Sequence, residues 1–202
     1  MALREEKKRA TRLAIADAAL GLFVAHGFDR VTVAEVAEAA KVSINTVFNY
    51  FPTKEDLFFD RQDEVINRLA VAVRQRADDE SPAAAVRCLF MDELRQHEPT
   101  LGLSADATTF WRVIDASPAL QARQRLLGEQ AEAALAEAIA ESVGTTERDI
   151  RPRLLAAALA GIDRALHAEI RRRVTAGDSV NSVRRDIGKA AAAFDAVADL
   201  GA

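Results

Sequence analysis

The chain has 202 residues, half of them apolar but only 5% aromatic, with one cysteine, a formal net charge of −4 and a pI near 5.5. That length can bury a sizeable core and suits a small domain followed by a larger one, while the wealth of alanine and leucine predicts an all-helical fold and argues against strands. A lone Cys88 excludes an intramolecular disulfide, and the longest apolar run, Leu154 to Ile162, falls well short of the roughly 20 residues that span a bilayer.

The N-terminus is charged and lacks an apolar leader segment, which predicts a cytosolic protein. Arg4, Lys7, Lys8, Arg9 and Arg12 gather there, whereas acidic residues concentrate at Asp78, Asp79 and Glu80 and along the later helices. A basic arm ahead of an acidic body suits DNA held at one end. Arg9 to His26 then reads as the first helix, with Leu13, Ile15, Ala18, Ala19, Leu22 and Phe23 facing inward and Gly27 as its C-cap.

From Thr32 to Leu57 the chain reads TVAEVAEAAKVSINTVFNYFPTKEDL. Thr32 with Glu35 forms a capping box that starts one helix, and Val33, Val36, Ala37 and Ala40 give it a narrow face of small side chains that a second helix can approach closely. Ser43 caps that second helix. Val47 and Phe51 anchor its inner side, which leaves Ile44, Asn45, Thr46, Phe48, Asn49 and Tyr50 to project elsewhere. Pro52 stops the helix, and Thr53 with Asp56 caps the next one, placing Lys54 at a helix N-terminus where phosphate oxygens are favoured. The pattern is a helix-turn-helix with its second helix offered to DNA.

The motif GFDRVTVAEVAEAAKVSINTVFNYFPTKEDLF, Gly27 to Phe58, together with the preceding TRLAIADAALGLFVAHG, resembles the TetR family of one-component transcriptional repressors. The resemblance implies a helix-turn-helix domain over residues 1–52, with Thr32, Ser43, Ile44, Asn45, Thr46, Phe48, Asn49, Tyr50 and Lys54 at the DNA, and a helical effector-binding and dimerisation domain over residues 53–202. Three positions depart from the family's habit. Lys41 stands where glycine often makes the turn, so a left-handed backbone there costs about 1 kcal/mol. Phe48 replaces a frequent tyrosine, and Ala34 is too short to read a base.

Thr53 to Ala77 reads as one long helix, a lever whose later residues Val65, Leu69 and Val73 pack beyond the small domain. Further helices are predicted over Pro82 to His97, Ser104 to Ala116, Pro118 to Val143 and Thr146 to Val174, with Ser81 and Ser117 as N-caps before proline. The loop from Glu98 to Ser104 could act as an entrance. A final helix from Asp178 to Leu200 sets Val180, Val183, Ile187, Ala190, Phe194 and Val197 on one seam, and the helix before it sets Leu155, Leu159, Ile162, Leu166 and Ile170 on another. Two such seams make a four-helix bundle across a two-fold axis, as the resemblance implies, with Leu155, Leu159, Ile162, Leu166, Val183, Ile187, Phe194 and Val197 as the dimer contacts. The alternative is that both seams close the monomer's own core.

No catalytic constellation emerges, which argues against an enzyme. His26, His97 and His167 are far apart in sequence, and Gly102-Leu-Ser104-Ala-Asp106 lacks the second glycine of a nucleophile elbow. Glu93 with His97 and Asp163 with His167 each offer two ligands at helical spacing, too few for a metal site, and no cofactor is expected. Cys88 lies among Val86, Leu89 and Phe90, which predicts a buried apolar thiol. Phe59, Phe90, Met91, Leu94, Phe110, Trp111, Ile114 and Leu127 concentrate the large apolar side chains, either as core or as an effector pocket. The reading is a ligand-responsive repressor that binds palindromic operator DNA as a homodimer and is released by a small apolar or amphipathic effector. Its rivals are a constitutive structural DNA-binding dimer without effector and a helical enzyme or carrier.

Overall fold

The computed structural model describes residues 2–104, 107–145 and 148–201. Among them every regular element is helical: α1 (Ala2–His26), α2 (Val33–Ala39), α3 (Ile44–Tyr50), α4 (Lys54–Phe58), α5 (Gln62–Gln75), α6 (Pro82–Gln96), α7 (Ala107–Ala116), α8 (Pro118–Val143), α9 (Arg151–Thr175) and α10 (Val180–Ala190), with 3-10 turns at Phe28–Arg30, Pro99–Leu101 and Ala191–Gly201. The fold class is all-α, a helix-turn-helix followed by a larger helical part. No helix among the described residues is long and apolar enough to cross a membrane.

The chain divides into two compact units that do not follow a single cut. The first takes residues 1–62 together with 109–124, so the expected boundary at Thr53 falls inside it. Its core joins Ile15, Ala19 and Phe23 of α1 to Phe28, Val36, Val47, Phe51, Leu57 and Phe58, and to Val113, Ile114 and Leu120 from the middle of the chain. Phe58 and Phe110 stack with ring centroids 4.5 Å apart. The second unit, residues 63–108 and 125–202, gathers Leu69, Val73, Phe90, Leu94, Leu135, Ile139, Leu155, Leu159, Ile170, Ile187 and Phe194.

Several expectations change. The first helix begins at Ala2, not Arg9, so the basic arm is helical. Leu13 is exposed, because it lies on the side of α1 away from Ile15, Ala19 and Phe23. The expected lever is broken: Phe59 leaves helical backbone at φ −98° and ψ 53°, and its carbonyl accepts from the Gln62 N–H, which starts α5 afresh. The expected helix start at Thr146 lies outside the described residues, as do Ala105 and Asp106; α9 begins at Arg151, where the Asp149 carboxylate accepts from the Arg151 N–H at 3.0 Å. Cys88 is exposed rather than buried, and partial desolvation together with the neighbouring Glu80 holds its thiol above the usual range.

The seams are the main correction. Leu155, Leu159, Leu166, Val183, Ile187 and Phe194, expected at a dimer contact, are buried in the chain's own core, and Ile162 and Val197 pack half-buried against it. A side chain with no exposed surface has none to offer a partner. The last helix also tightens after Ala190 into a 3-10 turn, whose three-residue period puts Ala191, Phe194 and Val197 in line against α6 and α9. Ala190 is therefore exposed. Phe194 sits 5.9 Å from the Phe90 ring. Phe194→Ala should accordingly cost about 3–5 kcal/mol of stability in urea unfolding, with no change in the sedimentation of the folded species.

Candidate nucleic-acid interface

The three caps read from the sequence form as the spacing demands. The Thr32 N–H donates to the Glu35 carboxylate at 2.7 Å and the Glu35 N–H donates to the Thr32 hydroxyl at 3.3 Å, closing the box at the start of α2. Those bonds hold the Glu35 carboxyl below the usual range. Ser43 Oγ accepts from the Thr46 N–H at 3.0 Å to begin α3, and Thr53 with Asp56 closes a second box at α4. Between α2 and α3 the turn passes through Lys41 at φ 56°, with the Val42 N–H returning to the Ala37 carbonyl at 2.9 Å. Lys41 thus takes the left-handed backbone that glycine adopts without strain.

Helix α3 has two unlike sides. Val47 and Phe51 are 0% and 1% exposed, while Ile44 and Phe48, one turn apart, are 45% and 47% exposed. Asn45 and Asn49 lie exposed beside them, Thr46 and Tyr50 are half-buried, and α3 contains no acidic residue. Amides that pair with base edges stand next to apolar groups that suit a thymine methyl. The Thr46 hydroxyl, 2.8 Å from Ser43 Oγ, is engaged at the cap.

Arg12, unlike the rest of the basic arm, is engaged within the chain. Its Nη1 donates to the Tyr50 carbonyl at 3.0 Å, its Nη2 donates to the Asp60 carbonyl at 2.7 Å, and its guanidinium lies 4.4 Å from the centre of the Phe51 ring. The side chain ties the C-terminal end of α3 to α1 and to the residue stretch after α4. No local sequence signal marks it, because both carbonyls are distant in sequence. Asp56, nearly buried, receives the Thr53 N–H, the Gln62 amide at 3.0 Å and the Arg123 guanidinium at 2.7 Å. Burial pushes its carboxyl up, but those hydrogen bonds and the Arg123 charge outweigh burial and leave it below the ordinary value. Lys54 is half-buried, with its ammonium 4.4 Å from the centre of the Phe28 ring. Thr32 and Ser43 are exposed at their helix starts. A surface groove lined by Glu5, Lys8, Arg9, Arg12, Asn49 and Tyr50 brings the helical arm alongside α3.

The residues expected around an effector do not share one core. Phe59, Phe110 and Ile114 belong to the first unit's core or pack against it; Trp111 is a half-buried residue of that unit. Phe90 and Leu94 belong to the second unit's core, Met91 packs half-buried against it, and Leu127 is buried in that unit's part of α8. Neighbours in sequence on α6 and α7 thus face different cores.

Of the two carboxylate–histidine pairs, Glu93 and His97 separate, while Asp163 and His167 stay in contact. Glu93 turns to Arg68 at 2.8 Å, His97 contacts Arg184, and His167 Nδ1 lies 2.8 Å from the Asp163 carbonyl oxygen and 3.5 Å from its carboxylate. Among the described residues no three His, Cys, Asp or Glu side chains gather as a metal-binding group.

Residues 15–60 match the family described as bacterial regulatory proteins, tetR family, and residues 80–194, more than half of the chain, match the MftR C-terminal domain. The chain is 29% identical over 171 residues to the HTH-type transcriptional regulator TcmR of Streptomyces glaucescens, covering 83% of this chain and 76% of TcmR. Over 51 residues, 25% of this chain and 23% of the other, it is 51% identical to the HTH-type transcriptional regulator LuxR of Vibrio harveyi. In fold it is similar to SmeT, the repressor of the Stenotrophomonas maltophilia multidrug efflux pump SmeDEF, at 16% identity and a TM-score of 0.57 over 92% of this chain and 88% of SmeT. NalD, the secondary repressor of the MexAB-OprM multidrug efflux pump in Pseudomonas aeruginosa, is similar at 17% identity and a TM-score of 0.57 over 91% of this chain and 96% of NalD.

Three variants test these roles. Arg12→Met should lower unfolding stability by about 1–3 kcal/mol and weaken DNA binding with the salt slope unchanged, whereas Asn45→Ala should relax base preference by about 1–3 kcal/mol. For Asp56 the folded carboxyl titrates below the unfolded one, so its stabilisation is complete above about pH 4 and is lost as pH falls through the folded value. Acid unfolding of Asp56→Asn, followed by circular dichroism below pH 4, should show a shallower loss than the parent chain.

Proposed function

The chain belongs to the TetR family of bacterial regulatory proteins, and from that premise we propose that it is a homodimeric transcriptional repressor that binds a palindromic operator and is released by a small-molecule effector. The observation that carries the DNA part is α3, which shows Ile44, Asn45, Phe48 and Asn49 to solvent from a helix anchored by Val47 and Phe51. Regulators of this family bind operator DNA and act as dimers. In this reading Asn45 and Asn49 meet base edges, Ile44 and Phe48 meet thymine methyls or sugars, and Thr32, Ser43, Thr46, Tyr50 and Lys54 lie at or near phosphates.

The dimer surface follows from what the core leaves over. On α9, Leu154, Ala157, Gly161, Ala165 and Ala168 recur at steps of three and four; Leu154 is 48% exposed, Ala157, Ala165 and Ala168 are also exposed, and Gly161 is half-buried. A Cβ added at Gly161 meets nothing nearer than the flexible Arg164 at 3.9 Å. Small side chains let a partner helix approach closely, and the stripe lies one residue over from the seam that fills the monomer core.

Effector binding in the second unit, among Phe90, Met91 and Leu94, would act by population shift, separating the two α3 helices from a spacing of about one DNA turn. A coupling of about 1–3 kcal/mol lowers operator affinity roughly 5–150-fold. The rival, a constitutive DNA-binding dimer, draws support from Phe90 and Leu94, which are 0% and 2% exposed in a closed core. A screen for small molecules that release bound DNA separates the two.

Ala165→Arg tests the dimer surface, since it sets a charge on an exposed stripe without disturbing the core. Sedimentation should show folded monomers and DNA affinity should fall at least about 10-fold as the second half-site is lost. An unchanged dimer would place the interface on another face.

A further inference from the structure

The second unit's core holds a charged cluster that the DNA-binding reading does not use. Arg68 on α5 donates through Nη1 to both oxygens of Glu93 on α6, at 3.0 and 2.8 Å, and through Nη2 to Asp163 on α9. The three side chains are 15%, 12% and 12% exposed. His167, one turn along α9, sits 5.9 Å edge-on from the Phe90 ring. Two carboxylates meet one guanidinium. The three side chains Arg68, Glu93 and Asp163 thus carry one formal negative charge in the unit whose core includes Leu69, Leu94, Leu159 and Leu166.

We propose that Arg68, Glu93, Asp163 and His167 form the effector-recognition centre, and that it selects a ligand carrying one positive charge on an apolar body. This rests on the reading of the protein as effector-responsive and names the chemical class of that effector.

Packing alone does not account for the cluster, because well-packed apolar side chains would hold three helices together at least as well as a buried ion triad. The triad is also incompletely neutralised. Burial raises the Glu93 carboxyl above its ordinary range even beside Arg68, because Asp163 shares the same guanidinium. A ligand cation supplies the missing charge. The Phe90 ring adds an aromatic face of the kind that attracts cations, and the surrounding leucines suit an apolar body. An anionic ligand has no such welcome: the net charge repels it, and the guanidinium is already forked between two carboxylates. With Phe90 and Leu94 closed over in this structure, the ligand enters only as α6 and α9 part. It therefore favours the opened conformation, which is the differential affinity that a population shift requires.

The test uses two ions of one shape, tetraphenylphosphonium and tetraphenylborate, titrated calorimetrically into the full-length protein. The cation should bind saturably, one per protomer, and at least about 10-fold more tightly than the borate. Glu93→Gln and Asp163→Asn, each checked for folding by thermal melting, should each weaken the cation at least about 10-fold and narrow its preference over the borate. Equal or tighter borate binding, no binding of either ion, or variants that keep the parent's cation affinity would overturn the proposal. If a variant fails to fold, the preference measured on the parent chain still decides. Release of operator DNA is read separately: a cation that binds with the predicted selectivity but leaves DNA bound removes the effector-responsive reading and keeps the site.

Discussion

A helix of seven residues cannot hold its own shape in water, because nucleation costs more than so few hydrogen bonds return. Everything around α3 answers that constraint. Ser43 accepts from the Thr46 N–H at its start, Val47 and Phe51 bury its inner side, and Arg12 holds the Tyr50 carbonyl at its far end. The outward residues are free to meet DNA because none of them is needed to keep the helix in place.

The same economy explains why the first unit takes residues from the middle of the chain. Within residues 1–62 Phe23, Phe28 and Phe59 pack around Phe58, and Phe110, Val113, Ile114 and Leu120 complete that core. Polar contacts fasten the join: Ser117 donates to Asp29 at 2.8 Å, and Arg123 meets Asp56 and Gln62, each at 2.7 Å. Helix α8 contributes to both cores, with Leu120 in the first and Leu135, Ala138 and Ile139 in the second. Within the first unit Arg123 of α8 thus holds Asp56, the residue that closes the capping box of α4.

How much of this was legible in the sequence depended on range. The capping boxes and the serine caps before Pro82 and Pro118 are set by residues three or four apart, so spacing alone revealed them, whereas the left-handed turn at Lys41 was legible only through the family resemblance. The seams misled because α9 carries two adjacent apolar stripes, and only three-dimensional packing decides which of them fills the core. The larger set, Leu155, Leu159, Leu166 and Ile170, does so, and the smaller set is left at the surface. Arg12 and Arg68 were missed as clamp and cluster, because their partners lie 25 to 95 residues away. The expected lever failed for a related reason: nothing local at Phe59 warns that the chain there leaves one compact unit for the other.

The central claim is that α3, presented twice across a two-fold axis, reads DNA. The most direct measurement is selection of bound sequences from a random duplex pool at physiological salt, using the intact protein. The expected product is a palindrome whose half-sites are centred about one helical turn apart, with sharp preference at the base pairs under each α3. Recovery of no common motif, or of an unpaired half-site bound equally well by monomers, would contradict it.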